Sequence, residues 1–480
     1  MDQLLVIVAA LLLVSIFASK LAVRSGIPAL LLFILTGMAI GSEGFGRIEF
    51  DNPQITQSIG VLALVVILFS GGLDTHWQGV KAALKEGLLL ATVGVAFTAF
   101  AVAWLATTFL GFSWAGGILL GATMAATDAA AVFGVLRGKN VNLKGKLQST
   151  LELESGSNDP TAIFLTLAMI ELITHPEIRV IDLVPQFIIQ MSLGALMGVI
   201  FGRVILFAVN NSRLEYDGLY PVLTVSLMLL CFGLTGAVGG NGFLAVYLAG
   251  VMVGRGNFIH KSSLRSFHDG LAWLMQIGMF IILGLQVFPS RLLGVAGAGL
   301  LVAGFMILVA RPLSVFLALA PLKATMNEKL FISWVGLRGA APIILATFSQ
   351  LAHIDFPVPI FELVFFVVLV SVLLQGSTVI PLARILNLLA PDIEKSQPLS
   401  EMFQEGGFKD YLVEVDVVES STPRTKRIVD LGLPAGALVV LINRAGGTVI
   451  PQGGSVLQPG DQLLIMAAKT QHETIAKLFK

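Results

Sequence analysis

The stretch LELESGSNDP, residues 151–160, places the carboxylates of Glu152, Glu154 and Asp159 within eight positions, and it continues directly into the apolar run TAIFLTLAMIEL. A carboxylate inside hydrocarbon is costly unless it faces other protein groups or water. Three of them close together therefore need partners or water that other parts of the chain must provide.

The composition indicates a membrane protein. Of the 480 residues, 56% are hydrophobic and 12% are charged. Soluble domains carry about twice that share of charge, and a soluble fold this apolar would expose patches that aggregate. The single cysteine, Cys231, excludes an internal disulfide, and no zinc-type Cys/His spacing occurs. The N-terminal apolar run starts with Asp2, and its basic residues follow it, so we interpret it as a first transmembrane helix rather than a signal peptide.

Thirteen segments are candidate membrane spans, since a span needs about 20 mostly apolar residues. Together they predict an all-α polytopic membrane domain over residues 1–390. The segments are 4–23, 28–42, 55–73, 87–110, 114–135, 147–173, 183–209, 219–238, 241–254, 268–288, 292–320, 330–352 and 360–380.

The distribution of basic residues predicts the orientation. If the N-terminus is outside, the loops on the inner side hold sixteen Lys and Arg residues, whereas the outer loops hold only Arg47, Arg179 and Arg291. The positive-inside rule then places the C-terminus in the cytoplasm.

The composition changes after residue 390. Residues 391–409 are polar and rich in Pro and Gly, and they predict a linker. Residues 410–480 contain the β-rich runs YLVEVDVV, ALVVLIN and DQLLIMAA and end in TQHETIAKLF, which predicts a small cytoplasmic α+β domain with the order β-α-β-β-β-α.

Among the ionisable residues within the predicted spans, four stand out as functional candidates: Asp128, Glu154, Asp159 and Arg338. With a helix rise of about 1.5 Å per residue, Glu154 lies ~10 Å and Arg338 ~12 Å from the cytoplasmic ends of their spans. Opposite charges at similar depth are best kept ionised by pairing. We therefore predict a structural ion pair between Glu154 and Arg338.

Asp159 lies ~18 Å into the sixth span and has no obvious partner. Ser155 lies one turn away on the same face, and Glu152 lies two turns away. Glu152 is at least as well explained as a solvated carboxylate near the helix end as by a role in the ion path. Burial favours the uncharged state of such a carboxyl group. A proton and a monovalent cation would both satisfy Asp159, which is the minimal chemistry of an exchanger.

Two spans contain signs of a helix break. Asp128 lies ~21 Å along the fifth span among small residues, and the twelfth span contains Gly336, Gly339 and Pro342 in GLRGAAPIIL. Broken helices at corresponding places in two inverted halves are typical of secondary transporters. The fifth and twelfth spans run in opposite directions in the predicted topology, as an inverted repeat requires.

The segments ATDAAAVF, ESGSNDP and GLRGA, in this order and on these spans, resemble the NhaP-type monovalent cation:proton antiporters over roughly residues 1–390. GGSVLQPGDQLLIMA, residues 453–467, resembles the end of a TrkA-C domain, the C-terminal domain of regulators of potassium conductance. Together they resemble the potassium/proton branch of the family.

The resemblance implies a bundle of spans four to six and eleven to thirteen, in which spans five and twelve are unwound and cross. It also implies a homodimer in the bacterial inner membrane that works by alternating access, takes part in pH homeostasis and needs no cofactor beyond the transported ions. Relatives in this branch can carry a further cytoplasmic domain, which leaves open whether this chain is a shorter member or a truncated one.

For the site, the resemblance implies that Asp159 binds the monovalent cation and the proton alternately. Asn158 would stand where electrogenic relatives have a second Asp, which predicts electroneutral one-for-one exchange. Ser155 and Thr127 would add oxygens, and Asp128 would counter the broken helix ends.

The resemblance also implies that Glu154 and Arg338 are the ion pair of the family. One departure is Ala129, which occupies a position where the family commonly has Pro. That difference predicts a gentler break at Asp128.

Rival functions remain open at this point. The oxygens of the site are equally compatible with a sodium/proton antiporter of the same fold. Only the TrkA-C-like C-terminal domain favours potassium. A cation channel gated by the C-terminal domain would need a filter such as TVGYG, which the chain lacks, and a membrane protease lacks a supporting motif. The C-terminal domain has no G-x-G-x-x-G fingerprint of a dinucleotide site. Whether its ligand is an ion, a small molecule or a nucleotide is open. Nothing points to a nucleic-acid partner.

Overall fold

The computed structural model describes residues 2–25, 28–75, 77–139, 141–256, 258, 260–390, 411–417, 426–444 and 447–479. The chain divides into two compact units, Met1–Ala390 and Pro391–Lys480, and each is described by itself. The predicted linker, residues 391–409, lies outside the described residues.

The first unit is built from helices. They are α1 (Asp2–Ser25), α2 (Ala29–Ile40), α3 (Pro53–Asp74), α4 (Trp77–Leu89), α5 (Val95–Phe109), α6 (Trp114–Ala125), α7 (Ala129–Gly138), α8 (Leu147–Thr174), α9 (Leu183–Asn211), α10 (Leu219–Ala237), α11 (Gly242–Arg255), α12 (Lys261–Leu285), α13 (Pro289–Phe305), α14 (Arg311–Ala318), α15 (Met326–Trp334), α16 (Ala340–Leu351) and α17 (Ile360–Ile385).

The helices account for every predicted span. Among the described residues, eight helical segments are long and apolar enough to cross a membrane, and shorter apolar helices accompany them. The helix α8 is not one of these eight, since it carries the carboxylates of 151–160. A helix or a pair of helices overlaps each of the thirteen predicted segments, while the number of thirteen crossings stays a prediction.

Two π-helical turns occupy corresponding places in the unit. Leu90–Gly94 joins α4 to α5, and Met306–Ala310 joins α13 to α14. Each composite helix is followed along the chain by a helix pair with a break, α6–α7 or α15–α16, and then by an unbroken long helix, α8 or α17. This repeated order agrees with the internal repeat predicted from the sequence.

Glycines allow close packing of the helices beside α8. A Cβ at Gly72 of α3 would lie 2.4 Å from the Tyr247 carbonyl oxygen of α11, and a Cβ at Gly250 would lie 2.4 Å from the Phe69 oxygen. On α8, a Cβ at Gly156 would lie 2.3 Å from Cζ of Tyr247. Small residues at such contacts let backbones approach closely, so α3, α8 and α11 meet around the Tyr247 ring.

The ion pair that fixes α8 differs from the predicted one. Glu154 Oε1 lies 2.6 Å from Nη2 of Arg311 on α14, and both side chains are buried. Arg338, the predicted partner, instead donates through Nη1 to the carbonyl oxygens of Ala125 and Ala126, at 2.6 and 2.8 Å. The prediction was wrong because it used depth alone. Counted from the predicted cytoplasmic end of its span at residue 320, Arg311 lies ~13 Å deep, which is the same layer as Arg338.

The second unit contains a four-stranded antiparallel sheet. Its strands are β1 (Leu412–Asp416), β2 (Leu438–Arg444), β3 (Gly447–Val449) and β4 (Gln462–Met466), in the order β1-β4-β2-β3, followed by α18 (His472–Leu478). Leu463 and Ile465 of β4 pack in its core with Ile475 of α18.

The helix predicted between β1 and β2 does not appear in the described residues 426–437, which contain only a 3₁₀ turn at Ile428–Asp430. The reason is local: Gly432 and Gly436 have φ values of +65° and +87°, and Pro434 lies between them. Neither feature is compatible with a continuing α-helix.

We predict that Glu154→Ala strongly destabilises the first unit, because it leaves the Arg311 guanidinium buried without its carboxylate. Removing one partner of a buried pair costs about 3–5 kcal/mol. The double variant Glu154→Leu/Arg311→Met should recover much of this loss, since it removes both charges. Thermal unfolding of the purified protein in detergent measures both effects.

The matched control is the exposed pair of Arg179 and Asp182, whose Nη2 and Oδ1 atoms lie 3.0 Å apart. Asp182→Ala should cost less than about 1 kcal/mol. Equal melting temperatures for Glu154→Ala and Asp182→Ala would contradict a buried pair at α8 and α14.

Candidate cation-binding site

Two helix breaks cross in the first unit. The helix α6 ends at Ala125 and α7 begins at Ala129, while α15 ends at Trp334 and α16 begins at Ala340. The Asp128 N–H donates to the Leu337 carbonyl oxygen at 2.8 Å and ties one break to the other. This crossing of two unwound helices confirms the predicted fold feature.

Gly339 makes the crossing sterically possible. A Cβ at this position would lie 2.1 Å from Oδ2 and 2.7 Å from Cβ of Asp128. Any larger residue would push the two breaks apart. The sequence motif GLRGA therefore supplies a glycine at the point of closest approach.

Side chains of opposite charge satisfy the free helix ends. Asp128 Oδ1 accepts a hydrogen bond from the Ala131 N–H at 3.0 Å and so caps the N-terminus of α7. Arg338 donates to the carbonyl groups of Ala125 and Ala126 at the end of α6. Anions stabilise helix N-termini and cations stabilise C-termini, so each broken end receives the charge that its partial charge favours.

Ser155 of α8 joins the long helix to the break between α6 and α7. Its hydroxyl donates to the Thr127 carbonyl oxygen at 2.9 Å and accepts from the Ala129 N–H at 3.1 Å. A proline at position 129 would have no N–H for the second bond. Ala129, the departure from the usual family pattern, thus gives this chain one more contact between α7 and α8.

Asn158 and Asp159 lie one turn further along α8. The Asn158 Nδ2 donates to Thr127 Oγ1 at 2.6 Å. Asp159 is buried, with 8% of its surface exposed, and its Oδ1 has no hydrogen-bond partner among the described residues. An unpartnered buried carboxylate oxygen is an open coordination position for a proton or a cation.

Pro160 removes one helical hydrogen bond of α8, a feature that the sequence reasoning missed. It lies inside α8 and cannot donate to the carbonyl group of Gly156, four residues earlier. Gly156 borders the same cavity as Asp159. The sequence signal was visible as a proline directly after Asn158 and Asp159 within an apolar helix.

A cavity of about 180 Å³ brings most of the predicted site residues together. One wall is formed by Thr127, Asp128, Ser155 and Asp159, with α16 beside them. Asn158 does not border the cavity, but its amide contacts Thr127, which does. The opposite wall is mainly apolar and includes Leu64, Leu68, Met279 and Phe280 of α3 and α12.

Glu152 also lines this cavity, together with Asp74 and Arg137. Its Oε1 accepts a hydrogen bond from Gln148 Nε2 at 3.0 Å. Asp74, Arg137 and Gln276 are shared with a second, larger cavity of about 870 Å³, which we call the vestibule. The vestibule is the space between α1–α3 and α12 on one side and α7 and α17 on the other.

Comparison with known proteins agrees with this geometry. The family of transmembrane sodium/hydrogen exchangers matches residues 7–385, and the TrkA-C domain family matches residues 412–480. The chain is 37% identical over 465 residues to the K(+)/H(+) antiporter NhaP of Alkalimonas amylolytica, covering 96% of this chain and 80% of that one. It is likewise 37% identical over 473 residues to the K(+)/H(+) antiporter NhaP2 of Shewanella sp. strain ANA-3, covering 97% and 81%.

A solved structure has the same fold. The sodium proton antiporter MjNhaP1 of Methanocaldococcus jannaschii at pH 8 superposes with a TM-score of 0.66 and 27% sequence identity, covering 78% of this chain and 99% of that one. The crossed helix breaks, the carboxylate cavity beside them and these matches together lead to one conclusion: the chain belongs to the sodium/hydrogen exchanger family of membrane transporters and carries a TrkA-C domain.

Proposed function

We propose that this protein is a secondary active antiporter that exchanges K⁺ for H⁺, with Asp159 as the group that binds both. The observation that carries the proposal is the buried Asp159 carboxylate, which has an unpartnered oxygen beside a small cavity. The hydroxyl of Ser155 and the oxygens of Thr127, both of which border the same cavity, supply neighbouring acceptors. Such oxygens suit an alkali cation.

Potassium is the favoured cation because the 37% identical relatives that span nearly the whole chain are named K(+)/H(+) antiporters. Sodium is the second candidate, since the superposed structure is that of a sodium proton antiporter. The two are separated by titrating proton release from everted vesicles with K⁺, Na⁺, Rb⁺ and Li⁺.

The difference between the two walls of the cavity supports a mechanism of alternating access. The polar groups that would hold the ion all belong to α8 and to the crossed breaks, whereas the facing α3 and α12 contribute mostly apolar side chains. A polar site can shift along an apolar wall without breaking specific hydrogen bonds. We propose that residues 1–390 form this transporting domain and that residues 410–480 regulate it.

The protein would lie in the bacterial inner membrane as a homodimer, with the N-terminus outside and the C-terminus in the cytoplasm. The positive-inside distribution supports that orientation. The vestibule would then open to the cytoplasm, because Lys20, Arg137 and Arg384 line it.

We predict that Asp159→Asn abolishes exchange, since an amide neither binds a proton at physiological pH nor carries the charge that attracts a cation. Expression and melting temperature should stay near those of the parent protein. The assay is fluorescence dequenching in everted vesicles on addition of K⁺. The matched control is Glu177→Gln, a change of the same kind in the exposed loop after α8, and full exchange by Asp159→Asn would remove Asp159 from the mechanism.

We predict that exchange is electroneutral, because Asn158 cannot lose a proton and Asp159 alone changes ligands. One proton then replaces one cation, and no net charge crosses the membrane. Proteoliposomes on a solid support should give no K⁺-induced current, and turnover should be the same at membrane potentials of either sign. A current that scales with turnover contradicts a single exchanging carboxylate.

We predict competition between H⁺ and K⁺ on the cytoplasmic side. Below the pH at which the site is half protonated, the apparent KM for K⁺ should rise by up to about tenfold per pH unit, because one group binds either ligand. The maximal rate at saturating K⁺ should change much less. A maximal rate that falls with pH at a constant KM would instead indicate a separate titrating group.

A further inference from the structure

We propose that the vestibule is a binding site for a phosphate-bearing anion, and that an anion bound there obstructs the route to Asp159. The proposal of binding concerns a part of the molecule outside the cation site. Its predicted effect on transport rests on the proposed function, and binding and transport are measured separately so that either can fail alone.

The vestibule collects basic side chains from separate elements. Lys20 comes from α1, Arg137 and Lys139 from the end of α7, and Arg384 from the last turn of α17. All four are exposed to the cavity or its mouth. None of the four forms an ion pair or a side-chain hydrogen bond with any residue that the structure describes.

Neighbouring basic residues of the same unit are engaged. The Lys144 Nζ donates to the Asn387 carbonyl oxygen at 2.8 Å, and the Lys261 Nζ donates to the Gly254 oxygen at 2.6 Å. Lys146 is paired with Glu86. Basic residues without such partners also occur elsewhere among the described residues, Lys323 for example, so the distinguishing feature of the vestibule is that four of them line one cavity.

The acidic residues of the vestibule do not balance its positive charge. Only Asp74 and Asp269 lie among its described lining residues. Asp74 is already held by Arg265, whose Nε lies 3.0 Å from its Oδ1. Like charges that share one cavity repel each other, so an anion that contacts several of them is favoured.

The dimensions and chemistry of the vestibule favour phosphate over a single carboxylate. Four cationic groups line a space of about 870 Å³, and an anion with several charged oxygens has more than one group to pair with them. Arginine binds phosphate through two parallel N–H groups, and lysine binds it as a point charge. Trp273, Ile380 and Ala130 provide an apolar surface beside these charges for an acyl or aromatic portion.

The position of the vestibule links occupancy to transport. Its wall shares Ile67, Gly71, Asp74, Arg137 and Gln276 with the cavity of Asp159. An anion seated on the basic residues therefore lies across the way that a cation takes to the carboxylate. The expected effect of binding is slower exchange.

The test uses residues 1–480 and inorganic tripolyphosphate, a multivalent phosphate without a nucleobase. Calorimetry should detect its binding to the parent protein, and addition to everted vesicles should slow exchange. In Lys20→Gln/Arg384→Gln, binding should weaken at least about tenfold, because two charge-assisted contacts are lost. Asp159→Asn should bind tripolyphosphate as the parent does, so binding remains measurable even if the proposed exchange fails.

The matched control is Lys323→Gln/Lys329→Gln, which removes the same charge from residues of this unit that do not line the vestibule. This variant should bind and respond like the parent protein.

If the phosphate belongs to a lipid, tripolyphosphate will have no effect in bilayers of phosphatidylglycerol, and exchange will be several-fold slower there than in phosphatidylcholine. That slowing would appear in the parent and the control and be absent from Lys20→Gln/Arg384→Gln, which equally supports the proposal.

Identical behaviour of the two double variants, in both the soluble and the lipid experiments, would overturn the proposal. Binding of tripolyphosphate that persists unchanged in Lys20→Gln/Arg384→Gln would do so as well, since the anion would then sit elsewhere on the protein.

Discussion

Backbone groups that are freed where a helix breaks inside hydrocarbon must find partners within the protein, because the lipid offers none. This constraint governs the centre of the first unit. The Asp128 N–H of one break donates to the Leu337 oxygen of the other. The Arg338 guanidinium donates to the carbonyl oxygens of Ala125 and Ala126. Each break is stable only because the second one lies against it, so the two unwound segments form a single structural element.

The buried ion pair has a positional role in this arrangement. Glu154 precedes Ser155 on α8, and its bond to Arg311 fixes the rotation of α8 about its own axis. That rotation directs Ser155 and Asp159 towards the crossed breaks. A buried pair of this kind gives little net stability compared with apolar residues. It does disfavour alternative positions of α8, because those would leave one of the two charges buried without its partner.

Features that depend on the position of a residue along one helix were predicted correctly from the sequence. Features that depend on the rotation of a helix or on contacts between distant segments were not. The breaks at Asp128 and at Gly336–Gly339 were predictable because glycine, proline and charge in the middle of a span all disfavour an unbroken apolar helix. The partner of Glu154 was not, since Arg311 and Arg338 lie at the same depth and only the packing of α14 against α15 distinguishes them. Arg311 was detectable as a charge within the eleventh apolar span, next to Pro312.

In the C-terminal domain as well, some features could be predicted from the sequence and others could not. Its strands were predicted from β-rich runs, and the turn before β4 contains Gly460 with a φ of +90°. Between β1 and β2, the predicted order of elements included a helix. The local residues contradicted it, because two glycines with positive φ around Pro434 end any regular helix in the described part of that segment.

The hydrogen bonds of the site give a physical reason for coupling. The two donors on α8 beside Asp159, the Ser155 hydroxyl and the Asn158 amide, are both committed to Thr127. Both are already engaged, and Leu64, Leu68 and Phe280 of the facing wall carry no donor, which leaves few side chains of the cavity lining, such as Tyr247 and Gln276, that could solvate a bare carboxylate. The unloaded, ionised site is therefore the state with the highest cost when it turns away from water. A proton or a cation removes that cost, and under the proposed mechanism this difference allows the loaded site to move while it holds the empty one in place.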